Sequence, residues 1–131
     1  METKHRDLVN DWFAWTADLC ADPELATLGE VHRLWADNGR IVTHGAVRAD
    51  GIAALEKLFG LFPSQYETVA VQQPFHTYIE AGDQVVLEFD ILIGAREPAS
   101  RQEFRVMMIL SIVDGKIVEM REVSAVKAGG F

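Results

Sequence analysis

The sequence predicts an α+β domain in which helices lie across one face of an antiparallel sheet. Three observations carry this reading. Apolar residues recur at helical spacing up to Phe62, and from Glu67 onward the spacing changes to strict alternation. The chain has 131 residues, 49 % apolar and 24 % charged, the make-up of one globular domain spanning residues 1–131.

Helix one is predicted over 5–20, where Leu8, Trp12, Trp15 and Leu19, together with Val9, Phe13 and Cys20, form a wide apolar stripe. Asp22-Pro23-Glu24 supplies a cap, a proline for the first helical position and an early acid, so a second helix is predicted to run to about Ala36. Asp37-Asn38-Gly39 has turn chemistry, and Arg40 to His44 reads as a short strand. Asp50 is a candidate cap for a third helix through Ile52, Leu55, Phe59 and Phe62, ended by Pro63-Ser64. Strands are predicted near 67–80, 84–95, 102–113 and 116–126, with turns at Ala81-Gly82, Arg96 to Ser100 and Asp114-Gly115.

Composition excludes several classes of partner. The net charge is −8 without a Lys/Arg cluster, which repels phosphate backbones and anionic lipid, so neither nucleic acid nor membrane is expected. The longest near-apolar stretch, Val106 to Val113, is far shorter than a spanning helix, and the start METKHRD is charged. With Cys20 the only cysteine, no internal disulfide can form, and a cytoplasmic protein is expected. No Gly-rich phosphate loop and no metal-ligand spacing occurs, so neither a cofactor nor a metal is expected.

Two strands are apolar on both faces: Val106 to Leu110 with Ile112 and Val113, and Val85 to Leu87 with Phe89, Ile91, Leu92 and Ile93. Helices suffice for one side of a sheet, so the other needs a cover, and a homodimer through the outer face is expected.

Within strand 84–95, Glu88 and Asp90 share a face with Val86 and Leu92. In the last strand, Glu122 shares one with Val118 and Met120. If these even-numbered faces line one hollow, three carboxylates meet in an apolar space, where raised pKa values make a general acid and a general base. Alternation alone leaves the opposite arrangement equally open, with Glu88 and Asp90 facing water and the odd-numbered residues forming the core.

The order of elements, with Trp35-Ala36-Asp37-Asn38 leading into a strand and Asp114 to Glu122 ending the meander, resembles the NTF2-like superfamily and its SnoaL-like branch. That resemblance implies a cystatin-like cone, a curved antiparallel sheet wrapped over three N-terminal helices around an apolar pocket, often dimeric through its outer face. Within it, Gly115-Lys116-Ile117-Val118-Glu119-Met120-Arg121-Glu122 is similar to the "Gly-Lys-Ile-x-x-Trp-Arg-Asp" run of the limonene-1,2-epoxide hydrolases. Leu87 to Leu92 is similar to their "Glu-Arg-Val-Asp-Val-Leu", and Phe75-His76 to a Phe-His pair. The resemblance implies Asp90 as general acid, Glu122 as the base that activates water, and Glu88 where those enzymes carry an arginine. Ile41 and Thr43 fall where they carry a tyrosine and an asparagine. The base of the ketosteroid isomerases has no counterpart in Ile41-Val42-Thr43-His44, whereas the SnoaL-type polyketide cyclases use an acidic general acid/base in a hydrophobic pocket, a looser requirement within reach of this sequence.

The expected function is thus a cofactor-independent acid/base enzyme acting on a small hydrophobic, oxygenated molecule, hydrolase-, cyclase- or isomerase-like. Asp90, Glu122 and Glu88 are its expected catalytic groups. His76 and Thr43 are expected to bind the polar end of the substrate, and Ile41, Trp15, Trp35, Phe59, Met108 and Met120 its apolar part. The alternative is a non-catalytic binding or dimeric interaction module of the same fold.

Overall fold

The computed structural model describes residues 3–26 and 28–127. Helix α1 spans Arg6–Leu19, a 3₁₀ turn Pro23–Ala26, and α2 Leu28–Leu34. Strands β1 (Trp35–Thr43) and β2 (Ala46–Asp50) follow, then α3 (Ile52–Gly60) and the single turn α4 (Phe62–Gln65). The remainder is strand: β3 Tyr66–Val71, β4 Thr77–Ala81, β5 Gln84–Arg96, β6 Ala99–Val113 and β7 Lys116–Val126. The sheet order is β2-β1-β7-β6-β5-β3, with β4 pairing the other end of β5, and all pairs are antiparallel except β1 with β7. Helices first and a strand meander afterwards therefore fold as predicted, into an α+β domain with an unclosed, curved sheet. No described helix is long and apolar enough to cross a membrane.

Four local expectations are corrected. The predicted second helix stops at Leu34, because Trp35 already pairs with Ile117 and the segment through Gly39 continues as strand rather than turn. Gly39 lies so close to Trp35 that an added Cβ would stand 2.7 Å from the indole Cε3, which explains a glycine inside β1. The N-cap of α3 is Gly51 at φ +92°, without a side-chain cap, and Asp50 instead ends β2, an element absent from the sequence reading. The predicted strand 67–80 breaks at 72–76, where Pro74 has no N–H to offer a ladder. The hairpin turn at Asp114-Gly115, by contrast, has both residues at positive φ, the mirror-image turn its sequence demands.

Which way the sheet faces decides everything about the site. Val85, Leu87 and Phe89 are buried under the helices, so the odd-numbered side of β5 is the inner face. Across the ladder, Leu87 pairs with Met108 and Met108 with Glu122, while Asp90 pairs with Arg105 and Arg105 with Ala125. Partners across a ladder share a face. The first row points inward and the second outward. An irregularity between Ser111 and Ile112 shifts the register so that Ile117 and Met120 both turn inward.

Candidate functional site

Between helices and sheet lies a cavity of about 320 Å³, near the lower end of small-molecule pockets at roughly 300–1,000 Å³. Its walls are mainly apolar, with Phe59 and Trp12 from the helices and Ile41, Phe89, Met108 and Met120 from the sheet. These residues point in because their strands alternate and the helical stripe of α1 and α3 covers them.

Polar groups are few: Thr16, Gln65 and Tyr66 from α1, α4 and β3, and a cluster of Thr43, Arg48, Glu122 and Ser124 where β1, β2 and β7 meet. Thr43 stands opposite Glu122 in the parallel β1–β7 pair and donates a long hydrogen bond, 3.5 Å, from Oγ1 to Oε1. After Thr43 the chain turns sharply, with His44 at φ +52° and its N–H donating to the Glu122 carbonyl at 2.9 Å. Burial pushes the Glu122 carboxyl above its ordinary pKa, and the Thr43 hydroxyl and the charges of His44 and Arg48 only partly oppose it. The site thus holds a carboxyl whose neutral form is favoured by burial, beside hydroxyls and a guanidinium.

Of the residues expected in the pocket, Glu122, Thr43, Ile41, Phe59, Met108 and Met120 line it. Asp90, Glu88 and His76 do not, and the expectation that three acids converge is corrected. Asp90 and Glu88 lie on the outer face of β5, since Leu87, Phe89 and Ile91 occupy its inner face. There they form an ion-pair network. Arg105 donates from Nε to Asp90 at 2.5 Å and from Nη1 to Glu88 at 2.8 Å, and Lys127 donates to Asp90 at 2.8 Å and to Glu103 at 3.0 Å. His76 Nε2 stands 3.1 Å from Asp90, 44 % exposed, on the same outer side. The hydrogen bonds from Arg105 and then Lys127 hold the Asp90 carboxyl far below the usual carboxylate range, so it has no proton to give near neutral pH.

Trp15 and Trp35 are also misplaced in the sequence reading. Both are buried, but behind Phe59 rather than on the cavity wall. Conversely, Arg48 and Ser124 were missed. Ser124 was findable, because it lies two residues beyond Glu122 on the same strand face. Arg48 had no such signal, as β2 itself was not predicted. Among the described residues, no group of three or more His, Cys, Asp or Glu is placed to hold a metal ion.

The profile of the SnoaL-like domain family matches residues 9–120, nearly all of the fold but two residues short of Glu122. Among solved structures, an NTF2-like protein from Anabaena variabilis superposes with a TM-score of 0.72 at 13 % identity, over 95 % of this chain and 94 % of that one. A Catenulispora acidiphila protein with a ketosteroid isomerase-like fold gives 0.68 at 20 % identity, covering 88 % and 82 %. The epoxide hydrolase/cyclase-like enzyme SalBIII, which acts in pyran ring formation in the polyether salinomycin, gives 0.68 at 18 % identity, covering 93 % and 91 %. At such identities the likeness establishes the fold. No curated protein sequence matches the chain.

Proposed function

The chain belongs to the SnoaL-like domain family, and we propose that it is a cofactor-independent acid/base enzyme in which Glu122 moves a proton on a small hydrophobic, oxygenated molecule. The observation that carries this reading is a single titratable carboxyl in the wall of a mostly apolar cavity, with its pKa raised by burial. Thr43 and Ser124 supply hydroxyls to orient a carbonyl, ether oxygen or water next to it.

This is the one-acid chemistry of a cyclase or isomerase rather than the two-acid chemistry implied by the likeness to limonene-1,2-epoxide hydrolases. In that scheme Asp90 would protonate the epoxide oxygen, yet Asp90 lies on the far side of the sheet from Glu122. One base alone still suffices to shift a proton next to a carbonyl. The non-catalytic binding reading uses the same cavity and differs only in turnover.

Cavity filling tests the site directly. Ile41→Trp puts an indole into the space lined by Thr43 and Glu122. Its expected effect is to abolish both binding of an apolar fluorescent probe and turnover of a panel of lactones, epoxides and enolisable ketones, with the fold retained by circular dichroism. Unaltered probe binding in this variant would place the ligand elsewhere and overturn the reading. Probe binding by the wild type with no turnover across the panel would favour the binding module.

We also propose that a second copy covers the outer face of the sheet. Met107, Ile79, Val123 and Val113 are 44–54 % exposed there, more apolar side chain than a sheet normally leaves to water. The expected result in light scattering at micromolar concentration is a dimer, and Met107→Lys is expected to shift it to monomer. A wild-type monomer would refute the proposal.

A further inference from the structure

We propose that Arg48 sets the ligand class of the cavity: its guanidinium takes the carboxylate end of an amphipathic molecule whose apolar body lies along the aromatic wall. This rests on the reading of the cavity as a ligand site and deepens it by naming what the ligand carries.

The backbone gives the first reason. In the β1–β2 pair, Ile41 stands opposite Ala49 and Val42 opposite Val47, so Arg48 is the extra residue of a bulge, without a partner across the ladder. Bulges re-aim a side chain next to a site. Plain alternation would put Arg48 on the opposite face from the buried Ala49, yet Arg48 joins Ile41, Thr43 and Glu122 in lining the cavity.

The second reason is its lack of a partner. Arg33 pairs with Glu30, Arg40 and Arg121 with Glu119, and Arg105 with Glu88 and Asp90. Arg96 donates to the carbonyls of Pro63 and Cys20, and Arg6 lies over the rings of Phe75 and Tyr78. Arg48 and Arg101 have no ion pair or side-chain hydrogen bond among the described residues, although the chain carries 20 Asp and Glu against 12 Lys and Arg, and of these two only Arg48 lines the cavity. A guanidinium is a rigid fork of donors that matches a carboxylate with two parallel hydrogen bonds. At the rim of an apolar cavity it serves a ligand better than it serves the fold.

The third reason is the charge around it. The ionisable groups that bear on Glu122 are His44 from the end of β1 and Arg48 from β2, while β6 and the rest of β7 present Met108, Met120 and Ser124. Glu122 is the one acid in the lining. A bound carboxylate would face Arg48 in the lining, with His44 beside Ser124 behind it, and a carboxyl that burial pushes toward its neutral form.

Matched ligands test this. Phenylbutanoate, phenylbutanol and phenylbutylamine share one apolar body, and their binding to the full chain is read at neutral pH by tryptophan fluorescence and calorimetry. The wild type is expected to bind the carboxylate about tenfold more tightly than the alcohol, the size of one charge-assisted pair, and the amine least. Arg48→Gln is expected to erase that preference while leaving alcohol affinity within about twofold, and Arg48→Lys to keep part of it, because an ammonium lacks the fork. Equal wild-type affinity for acid and alcohol, or a preference that survives Arg48→Gln, overturns the role of Arg48 while alcohol binding upholds the cavity. Failure of all three ligands to bind overturns the cavity reading together with it.

Discussion

Glu122→Gln is expected to lower turnover by about 10²–10⁴-fold, the usual contribution of one positioned proton-transfer group, while making the protein more stable at neutral pH. The two effects have one cause. Burial raises the folded-state pKa of Glu122 above its unfolded value. Between those values the unfolded chain has released the proton and the folded chain has not, so stability falls as pH rises through that window and stays lower above it. Glutamine keeps the shape and hydrogen-bonding capacity without the charge, and so removes that penalty together with the base. Wild-type activity is expected to rise with pH through the same raised pKa, and the variant's stability to be flat across it. Asp90→Asn makes the contrast, because its carboxyl is held low by Arg105 and Lys127. A depressed pKa gives stability that is present above the unfolded pKa and lost as pH falls toward the folded one. Asp90→Asn is therefore expected to lower Tm at neutral pH while turnover stays within about twofold of wild type. Equal activity loss in both variants would mean that Asp90 acts on the substrate after all.

The same contrast shows what the sequence could and could not reveal. Periodicity located β5, β6 and β7 to within a few residues, because each is long and framed by Gly82, Pro98 or Gly115. It could not say which side of β5 faces the helices. Both sides are apolar apart from Glu88 and Asp90, and a period of two is blind to inside and outside. The deciding residue, Arg105, lies 15 positions away in sequence and meets Asp90 only through the β5–β6 pairing. With it, an acid on the outer face is paired, and Phe89 is free to fill the core. The bounds of the last strand were legible, but the inward facing of Glu122 came only from the resemblance, and the ladder pairings with Thr43 and Met108 are what place it. Arg48 was hidden by a bulge in an edge strand of only five residues, for which no pattern of alternation exists to be read.

Phe59→Ala is expected to cost about 3–5 kcal/mol, the largest stability effect of any single change considered for this chain. Phe59 is 1 % exposed and touches three tryptophans, with ring centroids 5.3 Å from Trp12, 5.3 Å from Trp15 and 6.1 Å from Trp35, and it also forms part of the cavity wall. Each tilted or edge-to-face pair contributes about 0.5–1.5 kcal/mol beyond buried area. Removing Phe59 withdraws that packing from all three indoles. Against a total stability of about 5–15 kcal/mol, the expected drop in Tm is roughly 10–15 °C, read by thermal melting and checked by the urea midpoint at constant slope. Phe59→Leu, which keeps most of the volume, is expected to lose less than half as much. A drop of only a few degrees for Phe59→Ala would mean that the tryptophans close the gap unaided. The cavity wall would then be separable from the core, and ligand affinity in that variant would survive. If instead stability and affinity fall together, the same ring that closes the core also shapes the site.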